Sequence, residues 1–254
     1  MVNGTVLPDL ILRSGSTSVI RSRVLRTWGE SESGLAELLA EEIERLDATG
    51  GPTLAFLASG MEGLKVRITA KGDTEEDALA MLAEEEGRVR AIIGSVVFGV
   101  DEQNMESVVL DLLVAQGLTM ATAESMTGGM IGARLTEVPG ASRAFVGSVV
   151  SYANSVKHEL LGVPEGPVVS EAAVRAMAAG VCRATGANVS VAVTGVAGPE
   201  PQEGVEPGVV WIATSVDAVT EAVQVRFPYG RTMTRQLTVI SALNMLRRRL
   251  IDRN

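Results

Sequence analysis

The pattern of apolar and polar positions predicts a small α+β domain at residues 31–100, after an arm or linker at residues 1–30 that shows no sustained period. Apolar residues recur at helical spacing in two acidic segments, and a strand-like segment alternates apolar and polar positions. The predicted order is a helix (31–46), two strands (53–59 and 63–72), a helix (73–93) and a short strand (96–100). An α-β-β-α-β order in about 70 residues is typical of this fold class.

From residue 101 to residue 254 the pattern alternates between helices and strands. Helices are predicted over 105–117, 127–138, 155–163, 171–186 and 231–251, and strands over 117–123, 146–153, 188–195, 209–216 and 221–228. Asn154 and Ser170 are predicted N-caps, and Gly186 is a predicted helix end. The alternation indicates an α/β domain with three layers (α/β/α) and a mixed sheet. Ligands bind such sheets beyond the carboxyl ends of the strands.

Composition narrows the possible functions. The chain has 254 residues, of which 46% are hydrophobic and only 3% aromatic, so aliphatic side chains must form the core. A net charge of −9 argues against a broad nucleic-acid surface or an anionic-membrane surface. No apolar run reaches the ~20 residues of a membrane span, and no secretory signal is recognisable, so a cytoplasmic location is expected. Cys182 is the only cysteine, which excludes an intramolecular disulfide.

The segment TAESMTGG at residues 122–129 joins an apolar strand to an amphipathic helix. Three interpretations are open: a helix cap, a phosphate cradle, or a nucleophile placed where backbone N–H groups converge. Thr127, Gly128 and Gly129 place N–H groups at the first turn of a helix, which suits a phosphate and an oxyanion equally. The segment does not match the P-loop pattern.

Ser125 requires a base to become a nucleophile. The only histidine, His158, directly follows Lys157, and consecutive helical positions point about 100° apart, so both cannot face the strand ends. A Ser-Lys pair is the alternative, provided that Lys157 is desolvated enough to be neutral near pH 7. A solvated surface lysine is the competing interpretation.

Two further segments can contribute to a site. The loop VTGVAGP offers main-chain donors and the Thr194 hydroxyl, although a plain turn fits equally. Arg231, at the start of the last helix, can reach a phosphate or simply be solvated. No spacing of His, Asp and Glu supports a metal site, and no cofactor is expected.

Five blocks together resemble the carboxyl-terminal domain of the CinA family, the nicotinamide-nucleotide amidohydrolase domain, over residues from about 103 to 250. They are TAESMTGG, PGASRAFVGSVVSYANSVKHELLGV, VSEAAV, VAVTGVAGP and GVVWIA. The part from SVIRSRVLRTWGESESGLAELL through KVRITAKG to VVFGVDE is similar to the KH-like middle domain of CinA proteins. The family's amino-terminal domain, which is similar to molybdopterin-binding proteins and associated with ADP-ribose pyrophosphatase activity, has no counterpart here, so that activity is not expected.

The resemblance implies hydrolysis of nicotinamide mononucleotide to nicotinic acid mononucleotide and ammonia, a step of pyridine-nucleotide salvage. In this interpretation Ser125 attacks the amide carbon, Lys157 takes its proton and later protonates ammonia, and Tyr152 orients either partner. N–H groups around Thr127 to Gly129 hold the oxyanion.

The resemblance also implies residues that bind the substrate. The segment 194–199 and Arg231 are expected to meet the phosphate and ribose, and Glu124 either fixes the turn or orients the substrate. The full set of expected binding residues is Glu124, Thr127, Gly128, Gly129, Asn154, Thr194, Gly195, Ala197, Gly198 and Arg231.

The chain departs from the family pattern in two places. Met126 stands where family members often have cysteine, which leaves the serine as the nucleophile. The acids Glu200, Glu203 and Glu206 follow VAGP, and they would weaken phosphate binding if they faced the phosphate.

The resemblance also suggests partners: a second copy of the chain in a homodimer, and a link to RecA. The alternative function is a competence- or recombination-linked regulatory or interaction protein, or a nucleotide-binding module without catalysis.

Overall fold

The chain forms two compact units that divide between Gln103 and Asn104, close to the boundary predicted at residue 101. The computed structural model describes residues 18–58 and 60–253. Each unit has its own sheet and its own helices.

In its described residues, the first unit is a four-stranded antiparallel sheet with three helices. Its elements are β1 (Val19–Thr27), α1 (Glu32–Leu38), α2 (Ala40–Thr49), β2 (Thr53–Ala58), β3 (Leu64–Gly72), α3 (Glu75–Ile93) and β4 (Val97–Val100). The strand order is β2-β3-β1-β4. The helix predicted over 31–46 is two helices that meet at Leu39. The remaining predicted elements of this unit are confirmed, and Thr74 caps α3 with a reciprocal hydrogen bond to Asp77.

The prediction of an arm at residues 1–30 is wrong for β1, which is an interior strand between β3 and β4. Leu25 of β1 is fully buried and pairs in register with Val66 of β3. Arginines interrupt the apolar alternation of this strand. One of them, Arg23, lies 3.5 Å from a carboxylate oxygen of Glu86 on α3, so acids of the helix layer compensate its charge. Residues 1–17 lie outside the described residues.

The second unit has a five-stranded mixed sheet, as predicted. Its elements are α4 (Met105–Ala115), β5 (Met120–Glu124), α5 (Met130–Thr136), β6 (Phe145–Val150), α6 (Asn154–Leu161), α7 (Glu171–Thr185), β7 (Val189–Gly195), β8 (Val209–Val216), β9 (Val219–Arg226) and α8 (Arg231–Asp252). The strand order is β6-β5-β7-β8-β9. The first three strands of that order are parallel, and β8 and β9 continue the sheet antiparallel.

Helices cover both faces of this sheet and complete the three-layer α/β/α arrangement. On one face, small side chains such as Ala121, Ala192 and Ala213 let α7 pack closely through Met177 and Val181. On the other face, α8 packs against β7 and β8 and also against α4 and α5. Within the described ranges, no helix is both long enough and apolar enough to cross a membrane, and even the 22-residue α8 carries several arginines.

Three residues were predicted to cap or end helices of this unit, and two of these predictions are confirmed. Ser170 caps α7 by accepting a hydrogen bond from Ala173 N, and Gly186 ends that helix in the left-handed conformation. The prediction that Asn154 is an N-cap is wrong, because α6 begins at Asn154 itself and Ala153 occupies the cap position. A residue already inside the helix cannot fold its side chain back onto the first free N–H groups as an N-cap does.

The approach of α7 to the end of α6 generates a prediction about Gly180. A Cβ added at Gly180 would lie 2.1 Å from the carbonyl oxygen of Leu161, the last residue of α6. Gly180→Ala should therefore lower the free energy of unfolding by about 1–3 kcal/mol, although alanine normally favours a helix. The measurement is urea denaturation followed by circular dichroism.

Gly87→Ala is the matched control, because an added Cβ at this exposed position of α3 meets nothing within 4 Å. It should raise the free energy of unfolding by roughly 0.5–1 kcal/mol. Two substitutions with the same sign would contradict the packing argument.

Candidate active site

A pocket lies where the three parallel strands β6, β5 and β7 end at the same edge of the sheet. Ser125 directly follows β5, Tyr152 follows β6 by two residues, and β7 ends at Gly195. Of the residues predicted from the sequence, the pocket is lined by Ser125, Tyr152, Lys157, Thr194, Gly195, Ala197, Gly198 and Arg231. Its position agrees with the rule that ligands bind beyond the carboxyl ends of parallel strands.

Lys157 is the most unusual group in this pocket, because its side chain is only 1% exposed. Burial lowers the pKa of its ammonium group below the ordinary value of 10.5, and the carboxylate of Glu203 acts in the opposite direction. Its Nζ donates to the carbonyl oxygens of Ser151 at 2.7 Å and of Tyr152 at 3.3 Å. The interpretation of Lys157 as a solvated surface residue is therefore wrong.

These two hydrogen bonds are compatible with a neutral amine as well as with an ammonium group. An uncharged –NH₂ group has two N–H bonds and one lone pair, and the two carbonyl oxygens accept both N–H bonds. The lone pair is then left to accept a proton from a group in the pocket. An ammonium group in the same place would keep one N–H bond beyond those two.

His158 does not belong to the pocket. Its Nδ1 lies 2.8 Å from the carbonyl oxygen of Val163, just beyond the end of α6. Lys157 and His158 thus point to different surroundings, as their adjacent helical positions require.

Ser125 stands at the start of a tight turn that connects β5 to α5. Its main-chain N–H donates to the carbonyl oxygen of Val193 in the neighbouring strand β7, which ties the turn to the sheet. Its side chain lines the same pocket as Lys157. Among residues 18–58 and 60–253, no hydrogen bond joins Ser125 Oγ to Lys157 Nζ. Hydrogen bonds of this kind are often long in ligand-free enzymes and shorten with substrate bound.

Glu124 fixes this turn from inside the protein. Its side chain is fully buried, and its carboxylate accepts from Thr127 Oγ1 at 2.7 Å and from Gly129 N at 3.1 Å. It also accepts from the N–H groups of Ile131 and Gly132 in the first turn of α5. A carboxylate at a helix N-terminus satisfies free donors and interacts favourably with the helix dipole. Of the two roles expected for Glu124, the structure shows that it fixes the turn.

Of the N–H groups expected around Thr127 to Gly129 to hold an oxyanion, those of the two glycines already have acceptors, whereas the Thr127 N–H has none among the described residues. Gly128 N donates to Ser125 O at 3.0 Å, and Gly129 N donates to Glu124. Both glycines have positive φ angles, 64° and 93°, so the turn needs them for their backbone conformation. Five predicted binding residues therefore fall outside the pocket lining: Glu124, Thr127, Gly128, Gly129 and Asn154.

Met126 is a second position in the turn with an N–H group available to a ligand. It lines the pocket, and in the described part of the chain its N–H has no hydrogen-bond acceptor. The N–H of the residue that follows a nucleophile is a recurrent oxyanion donor in hydrolases built on strand-to-helix turns. This position is therefore one candidate oxyanion donor.

Arg235 of α8 holds the outer side of the same turn, and the sequence interpretation missed it. Its Nε donates to Met126 O at 2.9 Å and its Nη2 donates to Thr127 O at 2.8 Å. The N–H and C=O of one trans peptide point in opposite directions. By holding the carbonyl groups, Arg235 thus fixes how the peptide planes of the turn face the pocket.

Arg231 and Tyr152 lie at the mouth of the pocket. Arg231 Nη2 donates to the Tyr152 hydroxyl at 3.2 Å, and Nη1 donates to Gly198 O at 3.1 Å. Both side chains are exposed, and the guanidinium keeps N–H donors beyond these two bonds. The Thr194 hydroxyl, by contrast, donates to Val168 O at 2.8 Å, so it braces the pocket wall.

The acids of the loop after VAGP differ in where their side chains lie. Glu200 lines the pocket, but the carboxylate of Glu203 accepts from the main-chain N–H groups of Val168 and Val169. The two valines line the pocket and carry no recognisable sequence signal. In the part of the chain that the structure describes, no group of three or more His, Cys, Asp and Glu side chains is arranged to hold a metal ion.

Comparison with known proteins gives matches along the whole described chain. The sequence matches the CinA C-terminal domain over residues 102–250 and the damage-inducible protein CinA KH domain over residues 22–99. It is 46% identical to a CinA-like protein of Frankia casuarinae and 40% identical to one of Prochlorococcus marinus. These alignments cover 98% and 99% of this chain but 59% of each relative, so the chain spans about three fifths of their length.

Solved structures resemble part of the chain. A competence-damaged protein (CinA) superfamily protein from Enterobacter cloacae is 30% identical, with a TM-score of 0.57, and the match covers 58% of this chain and 90% of that one. A CinA superfamily protein from Klebsiella pneumoniae is also 30% identical, with a TM-score of 0.56, and the match covers 59% of this chain and 99% of that one.

The contacts of Glu124 predict that replacing its carboxylate by an amide strongly lowers the free energy of unfolding. Glu124→Gln puts an amide among donors that all need an acceptor, so it should lower the free energy of unfolding by about 2–3 kcal/mol. Glu137→Gln, at the exposed C-terminal end of α5, is the matched control and should change it by less than about 0.5 kcal/mol. Urea denaturation midpoints measure both, and equal midpoints would refute the role of Glu124.

Proposed function

Because this chain belongs to the CinA family, we propose that it hydrolyses the carboxamide of nicotinamide mononucleotide to nicotinic acid mononucleotide and ammonia. One observation carries the chemistry: a fully buried lysine, with two N–H bonds accepted by main-chain carbonyls, lines the same pocket as the serine that follows β5. The resemblance of five sequence blocks supports the choice of substrate.

In the proposed reaction, the neutral amine of Lys157 takes the proton of the Ser125 hydroxyl as Oγ attacks the carboxamide carbon. The negative charge that develops on the amide oxygen is stabilised by the N–H of Met126. The C–N bond then breaks, and Lys157 gives the proton to the departing ammonia. A water molecule hydrolyses the resulting ester in the same way, which releases the carboxylic acid and restores the serine.

The remaining contacts position these groups. Main-chain carbonyls of Ser151 and Tyr152 aim the amine, so the backbone of Tyr152 acts on Lys157 while its hydroxyl contacts Arg231. Arg231 is the cation at the mouth of the pocket that suits the phosphate of a nucleotide. Glu200, which lines the pocket, disfavours a second negative group nearby and thereby favours a mononucleotide with a single phosphate.

The experiment that tests this function is ammonia release from nicotinamide mononucleotide by the purified chain. Ser125→Ala should reduce kcat/KM by at least ~10³-fold because it removes the nucleophile. Lys157→Met should reduce it by ~10²-fold or more because it removes the general base. Absence of release by the unchanged protein, or equal release by Ser125→Ala, would rule out the proposal.

The lowered pKa of Lys157 also predicts the direction of the pH dependence. The base acts as the neutral amine, so kcat/KM should rise with pH as Lys157 loses its proton, and burial places that rise below pH 10.5. A pH profile between pH 5 and pH 10.5 measures it. A kcat/KM that falls with increasing pH throughout this range would contradict the assignment of Lys157 as the base.

A further inference from the structure

The loop between β7 and β8 contains a two-residue turn in an unusual conformation. Gln202 and Val205 exchange both main-chain hydrogen bonds, at 3.1 and 2.8 Å, around Glu203 and Gly204. Both central residues have positive φ angles, 53° and 75°, as a type I′ turn requires. Gly, Asn and Asp are the usual residues there, whereas glutamate adopts this conformation at a cost. Such a residue persists where other contacts compensate, and these are often contacts at a functional site.

The side chain of Glu203 provides such contacts. Its Oε2 accepts from Val168 N at 2.9 Å and from Val169 N at 3.3 Å. These N–H groups precede the cap of α7, and no other residue in the described ranges accepts from them. A charged acceptor shared by two main-chain donors is a strong form of hydrogen bond.

The wall that Glu203 holds belongs to the pocket. Val168 and Val169 line the pocket, and together with Val196 they form a small apolar cluster against which Val205 packs. Val168 O accepts the hydroxyl of Thr194 at the end of β7. The loop is therefore attached to this wall by the carboxylate of Glu203 and by the apolar side chain of Val205.

The charge of Glu203 also acts on Lys157. Its carboxylate raises the pKa of the buried ammonium group, against the larger effect of burial. The other titratable or charged groups around Lys157 are Tyr152, Glu200 and Arg231 in the pocket lining, and His158 and Glu159 beside it on α6. Glu203 is the one carboxylate that both fastens the wall and acts electrostatically on the lysine.

We propose that Glu203 is a positioning residue of the active site, which fastens the β7–β8 loop to the Val168–Val169 wall of the pocket that Lys157 also lines. The catalytic consequence rests on the proposed amidase function, whereas the structural consequence does not. Glu203 thus opposes the effect of burial and extends protonation of the lysine to higher pH. The pH at which the base becomes available is then a property of this loop as well as of the buried pocket.

Three variants separate the two effects. Glu203→Gln keeps an oxygen acceptor for the two N–H groups but removes the charge. Glu203→Ala removes both the acceptor and the charge. Glu206→Gln is the matched control, because Glu206 is an exposed acid of the same loop that does not line the pocket.

The attachment of the loop is tested without substrate by amide hydrogen exchange. In Glu203→Ala, exchange at Val168 and Val169 should become about ten-fold faster or more. In Glu203→Gln it should change less, and in Glu206→Gln it should match the unchanged protein. Unchanged exchange in Glu203→Ala would overturn the proposed attachment. A thermal unfolding curve of each variant shows whether an effect is confined to this wall.

The effect of charge is tested by NMR titration of Lys157. The sequence contains only three lysines, Lys65, Lys71 and Lys157, so labelled lysine side chains give few signals to assign. Glu203→Gln should move the titration of Lys157, and with it the rising limb of kcat/KM, to lower pH. Glu206→Gln should move neither. If the titration of Lys157 stays in place or moves to higher pH in Glu203→Gln, the proposed effect of the Glu203 charge on Lys157 is overturned.

The two readouts also separate the two proposals. If the unchanged protein releases no ammonia from nicotinamide mononucleotide, the amidase proposal fails, while exchange and titration still decide the role of Glu203. If ammonia is released but neither exchange nor titration responds to Glu203, the amidase proposal stands and the inference about Glu203 fails.

Discussion

The buried carboxylate of Glu124 is the interaction on which the rest of the site depends. The chain must leave β5, turn sharply and begin α5 within five residues, and this exposes a set of main-chain donors inside the protein. Glu124 accepts hydrogen bonds from four groups of this segment: Thr127 Oγ1 and the N–H groups of Gly129, Ile131 and Gly132. Without that acceptor, these donors would be buried and unsatisfied.

This constraint determines which groups remain available for chemistry. The inner donors of the turn are held by Glu124, and the carbonyl groups of Met126 and Thr127 are held by Arg235. The residues of the turn that line the pocket are Ser125 and Met126. Across the pocket, Lys157 is held in a complementary way, since main-chain carbonyls accept its N–H bonds. Ser125 and Lys157, the proposed nucleophile and base, are thus both fixed through backbone contacts.

Much of the fold could be predicted from the sequence because it depends on local pattern. The alternation in β3 and the apolar spacing of α3 and α7 follow from which face of each element is buried. β1 could not be recognised because arginines that pair with acids of α3 interrupt its alternation. The break at Leu39 between α1 and α2 leaves the apolar spacing intact, so the pattern could not reveal it.

The site was predictable where it follows from position at the end of a strand, as for Ser125 after β5 and Thr194 in the last two residues of β7. It was not predictable where it depends on contacts between distant segments. Arg235 contacts residues more than 100 positions away, and Glu203 contacts residues 34 and 35 positions away. The expectation that the N–H groups of Gly128 and Gly129 bind an oxyanion failed for a related reason. A glycine pair indicates an unusual backbone conformation, but it does not show whether the N–H groups of that turn already have acceptors.

The central claim is that Ser125 and a neutral Lys157 act together on a bound carboxamide. The most direct measurement is the distance from Ser125 Oγ to Lys157 Nζ in a crystal structure with nicotinic acid mononucleotide, the proposed product, bound in the pocket. If the two groups act together, the expected separation is about 2.6–3.2 Å, or one water bridges the two atoms. A separation beyond about 6 Å in the closed, occupied pocket would exceed the reach of one bridging water and contradict the account.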